Sequence, residues 1–207
     1  MRINVEIAGT SPLMLDRFSD EAALRSSEGT TGSAAARDRG TPLEQAEARL
    51  YHGTKQQIII PAPNLLACLV DGGRFHKAGR AQLTTQKSSM LYGCLGIDEF
   101  EVDLKHKQPW KVDTRPVRVP ATGGRILAHR PMFDDWELEF TIEVDTTILS
   151  VKLLRDVVDD AGKRIGLGCF RPDRKGPYGR FKVVKWAQEK EEGKPMPTRK
   201  TLAIAAG

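Results

Sequence analysis

Residues 136–144 read WELEFTIEV. Trp136, Leu138, Phe140, Ile142 and Val144 alternate with Glu137, Glu139, Thr141 and Glu143, the period of two that puts apolar side chains on one face of a strand and carboxylates on the other. Such a strand needs a second layer over its dry face, while its acidic face can stay wet. The next segment supplies a cover. From about Ile148 to Ala161 the apolar residues Val151, Leu154, Val157, Val158 and Ala161 recur at three and four, a helical stripe that Gly162 is expected to cap. In RFKVVKW, Phe181 and Val183 alternate with Arg180 and Lys182 and predict a last strand.

The beginning of the chain has the same grammar. In RINVEIAG, Ile3, Val5 and Ile7 predict a first strand with one buried face. Thr41-Pro42-Leu43-Glu44 reads as a capping box with proline at the first helical position, so PLEQAEARLY predicts a short helix. QQIIIPAPNLLACLV runs from a buried strand into a helix with Asn64 as its expected cap and Gly72-Gly73 near its end. Phe100, Val102 and Leu104 predict a strand, and PVRVPATGGRILAHRP a hairpin with Gly123-Gly124 at its tip.

The resulting order is β-α-β-β-α-β with long insertions, an α+β fold with a ferredoxin-like or RRM-like sheet and both helices on one face. The opposite face is then free, and RNA-recognition modules bind single strands there. One such domain is expected over 1–187, with a mobile, thumb-like insertion after the first strand at about 19–50 that is poor in apolar area. A hairpin region at about 105–131 interrupts it, and 188–207 reads as a basic tail or arm.

Among the 207 residues only 6% are aromatic, so the core must be mostly aliphatic. No apolar run approaches twenty residues and MRINVEIAGT is unlike a signal peptide, which predicts a cytoplasmic protein with no membrane partner. Cys68, Cys94 and Cys169 are odd in number, far apart and without a C-x-x-C pair, so buried reduced thiols are expected rather than disulfides or a zinc site. No cofactor or metal is implied. Charge is unevenly placed: residues 105–131 carry seven Lys/Arg against Asp113 alone, and residues 163–200 carry twelve against four acids. That asymmetry suits a polyanion, because each cation brought to a phosphate releases counterions.

A glycine-rich, cationic segment, RIGLGCFRPDRKGPYGRFKV, residues 164–183, lies between the last helix and the last strand. Gly166, Gly168, Gly176 and Gly179 permit positive φ and would let successive N–H groups point into one concavity, which suits an anion. Arg164, Arg171, Arg174, Lys175 and Arg180 are interleaved with Phe170 and Tyr178, combining donors for phosphate with rings for bases. It is no nucleotide-triphosphate loop, having no G-K-[ST] and running from helix to strand.

Taken together, the acidic strand, helix, glycine/arginine loop and final strand resemble the carboxy-terminal half of the RAMP (repeat-associated mysterious protein) superfamily, in particular backbone subunits of class 1 CRISPR effector complexes. IIIPAPNLLACLV is similar to that family's strand-proline-helix motif, I-P-G-S-S-L-K-G, with Ala62, Leu66 and Ala67 at its Gly, Lys and second Gly. Arg74, Lys77 and Arg80 lie nearby as substitutes for the lost cation. SPLMLDRF sits at the family's first loop, and DTRPVRVPATGGRILAHRP where its members carry a hairpin that contacts guide RNA.

The resemblance implies a non-catalytic subunit that oligomerises along guide RNA, with paired target nucleic acid, further copies of itself and other effector subunits as partners. RNA contacts are expected from Arg17, Arg74, Lys77, Arg115, Arg118, Arg125, Arg130, Gly166, Gly168, Arg171, Arg174, Lys175, Tyr178 and Arg180. Some such subunits cut RNA with an aspartate after the first strand, where Asp16 and Asp20 lie, so a metal-dependent ribonuclease through Asp16 is one alternative. A histidine-based ribonuclease is another, drawn from His52, His76, His106 and His129, but neither His52, after Tyr51, nor His129, between Ala128 and Arg130, has a spaced partner that marks catalysis. A self-assembling phage or defence structural protein without nucleic acid is the third.

Overall fold

The computed structural model describes residues 1–18, 40–118 and 123–189. Along the chain its elements are β1 (Arg2–Gly9), β2 (Leu13–Met14), α1 (Pro42–Glu47), β3 (Ile59–Pro61), α2 (Ala62–Gly72), β4 (Lys77–Ala78), β5 (Ala81–Gln82), β6 (Leu95–Ile97), β7 (Glu101–Asp103), β8 (Lys111–Arg118), β9 (Arg125–Phe133), β10 (Glu137–Val144), α3 (Val151–Asp160) and β11 (Phe181–Gln188). The protein is mixed α+β, with antiparallel sheets and few helices.

β1 and β10 form the centre. Their inward residues pair across the ladder, Ile3 with Ile142, Val5 with Phe140 and Ile7 with Leu138, and all six are at most 1% exposed. β11 flanks β1 and β6 flanks β10, giving the order β11-β1-β10-β6 with every pairing antiparallel. α2 lies between β1 and β6 in sequence, α3 between β10 and β11. Leu65 and Leu69 of α2 and Leu154, Val157 and Val158 of α3 join the sheet's inward residues in one hydrophobic cluster. A Cβ on Gly72 would lie 2.6 Å from the Val157 carbonyl oxygen, so α2 meets α3 at backbone distance. The alternation predicted in β11 is broken by a bulge. Val184 is the extra residue, so Val183 and Trp186 both pair with inward-facing β1 residues.

Three expectations need correction here. α2 begins at Ala62, before Asn64, because prolines 61 and 63 fit the cap and first turn, where a missing N–H costs nothing; no side chain caps it. α3 is capped by Ser150, whose hydroxyl accepts from Leu153 N, and it does not stop at Gly162. It widens into a π-helical turn over Ala161–Ile165 and ends at Gly166, while buried Gly162 sits where a Cβ would meet the Phe181 carbonyl oxygen at 2.3 Å. Phe100 points outward, 86% exposed, and only Val102 and Leu104 of its predicted face are buried. The capping box of α1 is present as read, with Thr41 N donating to Glu44 Oε2 at 2.7 Å and Glu44 N to Thr41 Oγ1 at 3.3 Å.

The sheet's outer face is mostly acidic along its two central strands. It carries Glu6, Glu137, Glu139 and Glu143, with Glu6 directly opposite Glu139. Lys185 relieves that repulsion by reaching Glu6 at 2.5 Å and Lys105 by reaching Glu139 at 2.6 Å. The hydrogen bond to each carboxylate holds both lysines above their ordinary pKa, and the bond from Lys105 lowers Glu139.

A second sheet, β2-β9-β8, stands beside the first. The predicted hairpin is present as β8 and β9, in register from Lys111 with Met132 to Arg118 with Arg125, and α1 packs against it. Of the thumb-like insertion and the tail, 19–39 and 190–207 lie outside the described residues, as does the hairpin's tip at 119–122. No helix among the described residues is long and apolar enough to cross a membrane.

Candidate nucleic-acid interface

The glycine-rich connection is folded on itself and on the start of the chain. Leu167 N donates to Gly179 O at 2.9 Å, Cys169 N to Met14 O at 2.8 Å, Tyr178 N to Phe170 O at 3.2 Å and Gly179 N to Pro12 O at 2.8 Å. Gly166, Arg174, Lys175 and Gly176 amides also have acceptors within the protein. The expected open concavity of consecutive N–H groups is therefore mostly filled by the chain's own carbonyls. Two glycines owe their place to this crossing. A Cβ at Gly176 would lie 1.7 Å from the Phe170 oxygen, and at Gly179, with φ +70°, 1.8 Å from the Leu167 oxygen. Only the Gly168, Phe170 and Arg171 amides in the Gly166–Arg171 stretch have no acceptor among the described residues.

This compact loop is clamped to the β8–β9 hairpin by Arg115 of β8, with Arg130 of β9 beside it. Arg115 lies 5.6 Å from the ring centre of Phe170 and 5.1 Å from that of Tyr178, donates to the Tyr178 hydroxyl at 2.7 Å, and meets Asp113 through two bonds of 2.6 Å. The Asp113 and Tyr178 hydrogen bonds push its pKa further up. Arg130 approaches Phe170 at 5.2 Å and donates from Nε to Asp16 at 2.7 Å. Both aromatic rings expected to stack bases are thus engaged by arginines.

Two carboxylates organise the remaining arginines. Asp16 takes Arg130 on one oxygen and Arg49 on the other, tying the segment after β2 to β9 and to the end of α1. Asp173 takes Arg74 at 2.7 Å, with Arg174 at 3.6 Å and Arg171 at 3.7 Å. Burial pushes the Asp173 carboxyl up, but the Arg74 bond and the three neighbouring cations outweigh it and hold the group below its usual range. Arg171 also donates to Gly168 O at 3.0 Å.

The predicted contact residues therefore fall into two sets. Arg74, Arg115, Arg130 and Arg171 have internal partners and build the site, with Arg174 at its edge, 71% exposed. Arg118, Arg125, Lys175 and Arg180 are exposed on the hairpin and the loop, and make no ion pair among the described residues. Lys77 stands apart in the β4–β5 hairpin, and Arg17 N donates to Arg49 O beside the Asp16 cluster. Arg164 pairs with Asp160 and covers Phe75 at 4.7 Å, on the far side of the π turn.

For chemistry, both Asp16 oxygens already carry arginine donors, and Asp20 lies outside the described residues. His129 is buried against the Thr114 hydroxyl at 2.8 Å, His76 meets Asp160 at 3.0 Å, His106 bonds the Gln108 carbonyl, and His52 forms a β-bridge with Ile58. Among the described residues no group of three or more His, Cys, Asp or Glu is placed to hold a metal. The cysteines are free thiols; Cys68 and Cys94 are buried, whereas Cys169 is partly exposed, its thiol raised to about 12 by burial. Arg49 and Asp173 were not legible as site residues, since nothing near them in sequence marks their distant partners.

No family model and no curated protein matches the sequence. Among solved structures the chain is similar to a chain of a "Type IV-B CRISPR Complex", at 14% identity and a TM-score of 0.43, with 100% of both chains covered.

Proposed function

We propose that this protein is a non-catalytic RNA-binding subunit that lines up with further copies of itself along a guide RNA in a CRISPR-type effector complex. The observation that carries the reading is the Arg115 clamp, which joins the hairpin to the loop and so brings the exposed cations Arg118, Arg125, Lys175 and Arg180 onto two connected elements. Cations without acidic partners retain their full charge for phosphate, and their contacts are indifferent to base sequence. The bases of a guide remain available for pairing with target. The strand order β11-β1-β10-β6, with each helix connecting strands across a central neighbour, supports a ferredoxin-like core of the kind the RAMP resemblance implies. Asp16 is assigned a structural part, because the two arginines paired with it put positive charge where a metal cation would have to sit.

The test is the triple variant Arg118→Glu/Arg125→Glu/Lys175→Glu, none of which has an internal partner to lose among the described residues. Wild-type protein is expected to co-purify with RNA and to bind single strands with a steep salt dependence, each lost phosphate contact removing about 0.7 from the log–log slope. Unchanged RNA content and salt slope in the variant refute the surface. A nucleic-acid-free oligomer of the wild type, seen as a protein-only ultraviolet spectrum, refutes RNA binding altogether.

A further inference from the structure

Between the segment after β2, the first turn of α2 and the folded loop lies a cleft of about 390 Å³. That size falls within the range of small-molecule sites. One end is cationic. Arg171 and Arg174 line it together with Gly168 and Phe170; Asp173, 3.7 and 3.6 Å from the two guanidinium groups, offsets part of their charge, and the backbone amides of Gly168, Phe170 and Arg171 have no acceptor among the described residues. Its wall is apolar, from Leu15, Ile60 and Leu167, with the half-buried ring of Tyr51 alongside.

Asn64 also lines the cleft. It is exposed on the first turn of α2, does not cap that helix, and its side-chain amide has no partner among the described residues. Asp16 is the one acid in the lining, and its charge is met by Arg49 and Arg130. Arg130, which holds Asp16, is only 10% exposed, and its buried Nη1 has no hydrogen-bond partner among the described residues.

An anion subsite, an apolar wall with an aromatic ring, and one amide that both donates and accepts together match a phosphate joined to a flat heterocycle. Inorganic phosphate would leave the wall and Asn64 unused, and an aliphatic anion would leave Asn64 without an edge to read. We infer that this cleft takes one unpaired nucleotide, with its phosphate toward Arg171 and Arg174, its base against Tyr51 and the base edge at Asn64. The inference rests on the RNA-binding reading and deepens it: the exposed surface grips backbone, whereas the cleft admits a single base.

Ala67, exposed on α2 and part of the lining, gives a plug that avoids the core. The experiment compares wild type with Ala67→Trp and Asn64→Leu, using a single-stranded oligoribonucleotide with 4-thiouridine for photo-crosslinking and the four nucleoside monophosphates for titration. Wild type is expected to give an adduct on the peptides bearing Tyr51 or Asn64. Ala67→Trp should abolish that adduct and weaken mononucleotide binding by about tenfold or more, on the scale of a lost base–aromatic stack, with the salt slope for long RNA falling by no more than about 0.7, the share of one phosphate. Asn64→Leu should flatten any preference among the four bases.

Oligonucleotide retained with adducts only outside the cleft, and mononucleotide affinity within about twofold in Ala67→Trp, overturns the cleft while leaving the RNA-binding surface standing. Inorganic phosphate competing as well as mononucleotide also overturns it. Mononucleotide binding that the plug abolishes, without any retention of RNA, upholds the cleft and refutes the RNA surface. Binding of neither ends both.

Discussion

Replacing Arg115 with alanine tests whether the loop and hairpin are one unit. The guanidinium makes two ring contacts, at 5.6 and 5.1 Å, each worth about 0.5–1 kcal/mol at a partly exposed site. Its bond to the Tyr178 hydroxyl adds about 1.5 kcal/mol, and removal strands the Asp113 carboxylate, whose side chain is only 12% exposed. The ring contacts and the hydrogen bond together come to about 2.5–3.5 kcal/mol before the Asp113 charge is counted, and because Arg115 itself is 32% exposed, solvent screening lowers the net loss to about 2–3 kcal/mol. For a chain of this size the melting temperature should fall by about 4–12 °C. Urea unfolding of Arg115→Ala, Tyr178→Phe and the double variant gives the coupling, expected near 1 kcal/mol. Amide exchange should speed up at Tyr178 and Gly179. Arg115→Ala within about 0.5 kcal/mol of wild type, or strict additivity with Tyr178→Phe, refutes the clamp.

Gly179→Ala, combining φ +70° with a Cβ 1.8 Å from the Leu167 oxygen, should destabilise by about 3 kcal/mol or more. Gly79→Ala, at φ +60° with nothing within 4 Å, should cost only about 1 kcal/mol; equal losses in thermal melts would show that the loop is not packed as described. Asp173 has a folded-state pKa below its unfolded value of about 3.8, so its contribution is present above that pH and is lost as pH falls through the depressed value. Wild type should therefore lose stability relative to Asp173→Asn on acidification below about pH 4, and parallel pH profiles would contradict the Arg74–Asp173 pairing.

The local elements were legible because each is governed by neighbours in sequence. Alternation named the inward residues of β1 and β10, since a strand's period is two wherever one face is covered, and Thr41 with Glu44 announced α1 through a reciprocal bond spanning one turn. The β8–β9 hairpin was legible for the same reason. What a charged side chain does could not be read in this way. Arg115 meets Tyr178 across 63 positions, Arg74 meets Asp173 across 99 and Arg130 meets Asp16 across 114. Composition marks all of these as cations of a basic segment. Only the tertiary arrangement separates the arginines consumed in holding the loop from those left facing solvent, because an ion pair depends on distance in space and is blind to order along the chain. The glycines divide on the same principle: their presence signals backbone freedom, but the approach of the Leu167 and Phe170 carbonyls decided that the freedom serves a chain crossing.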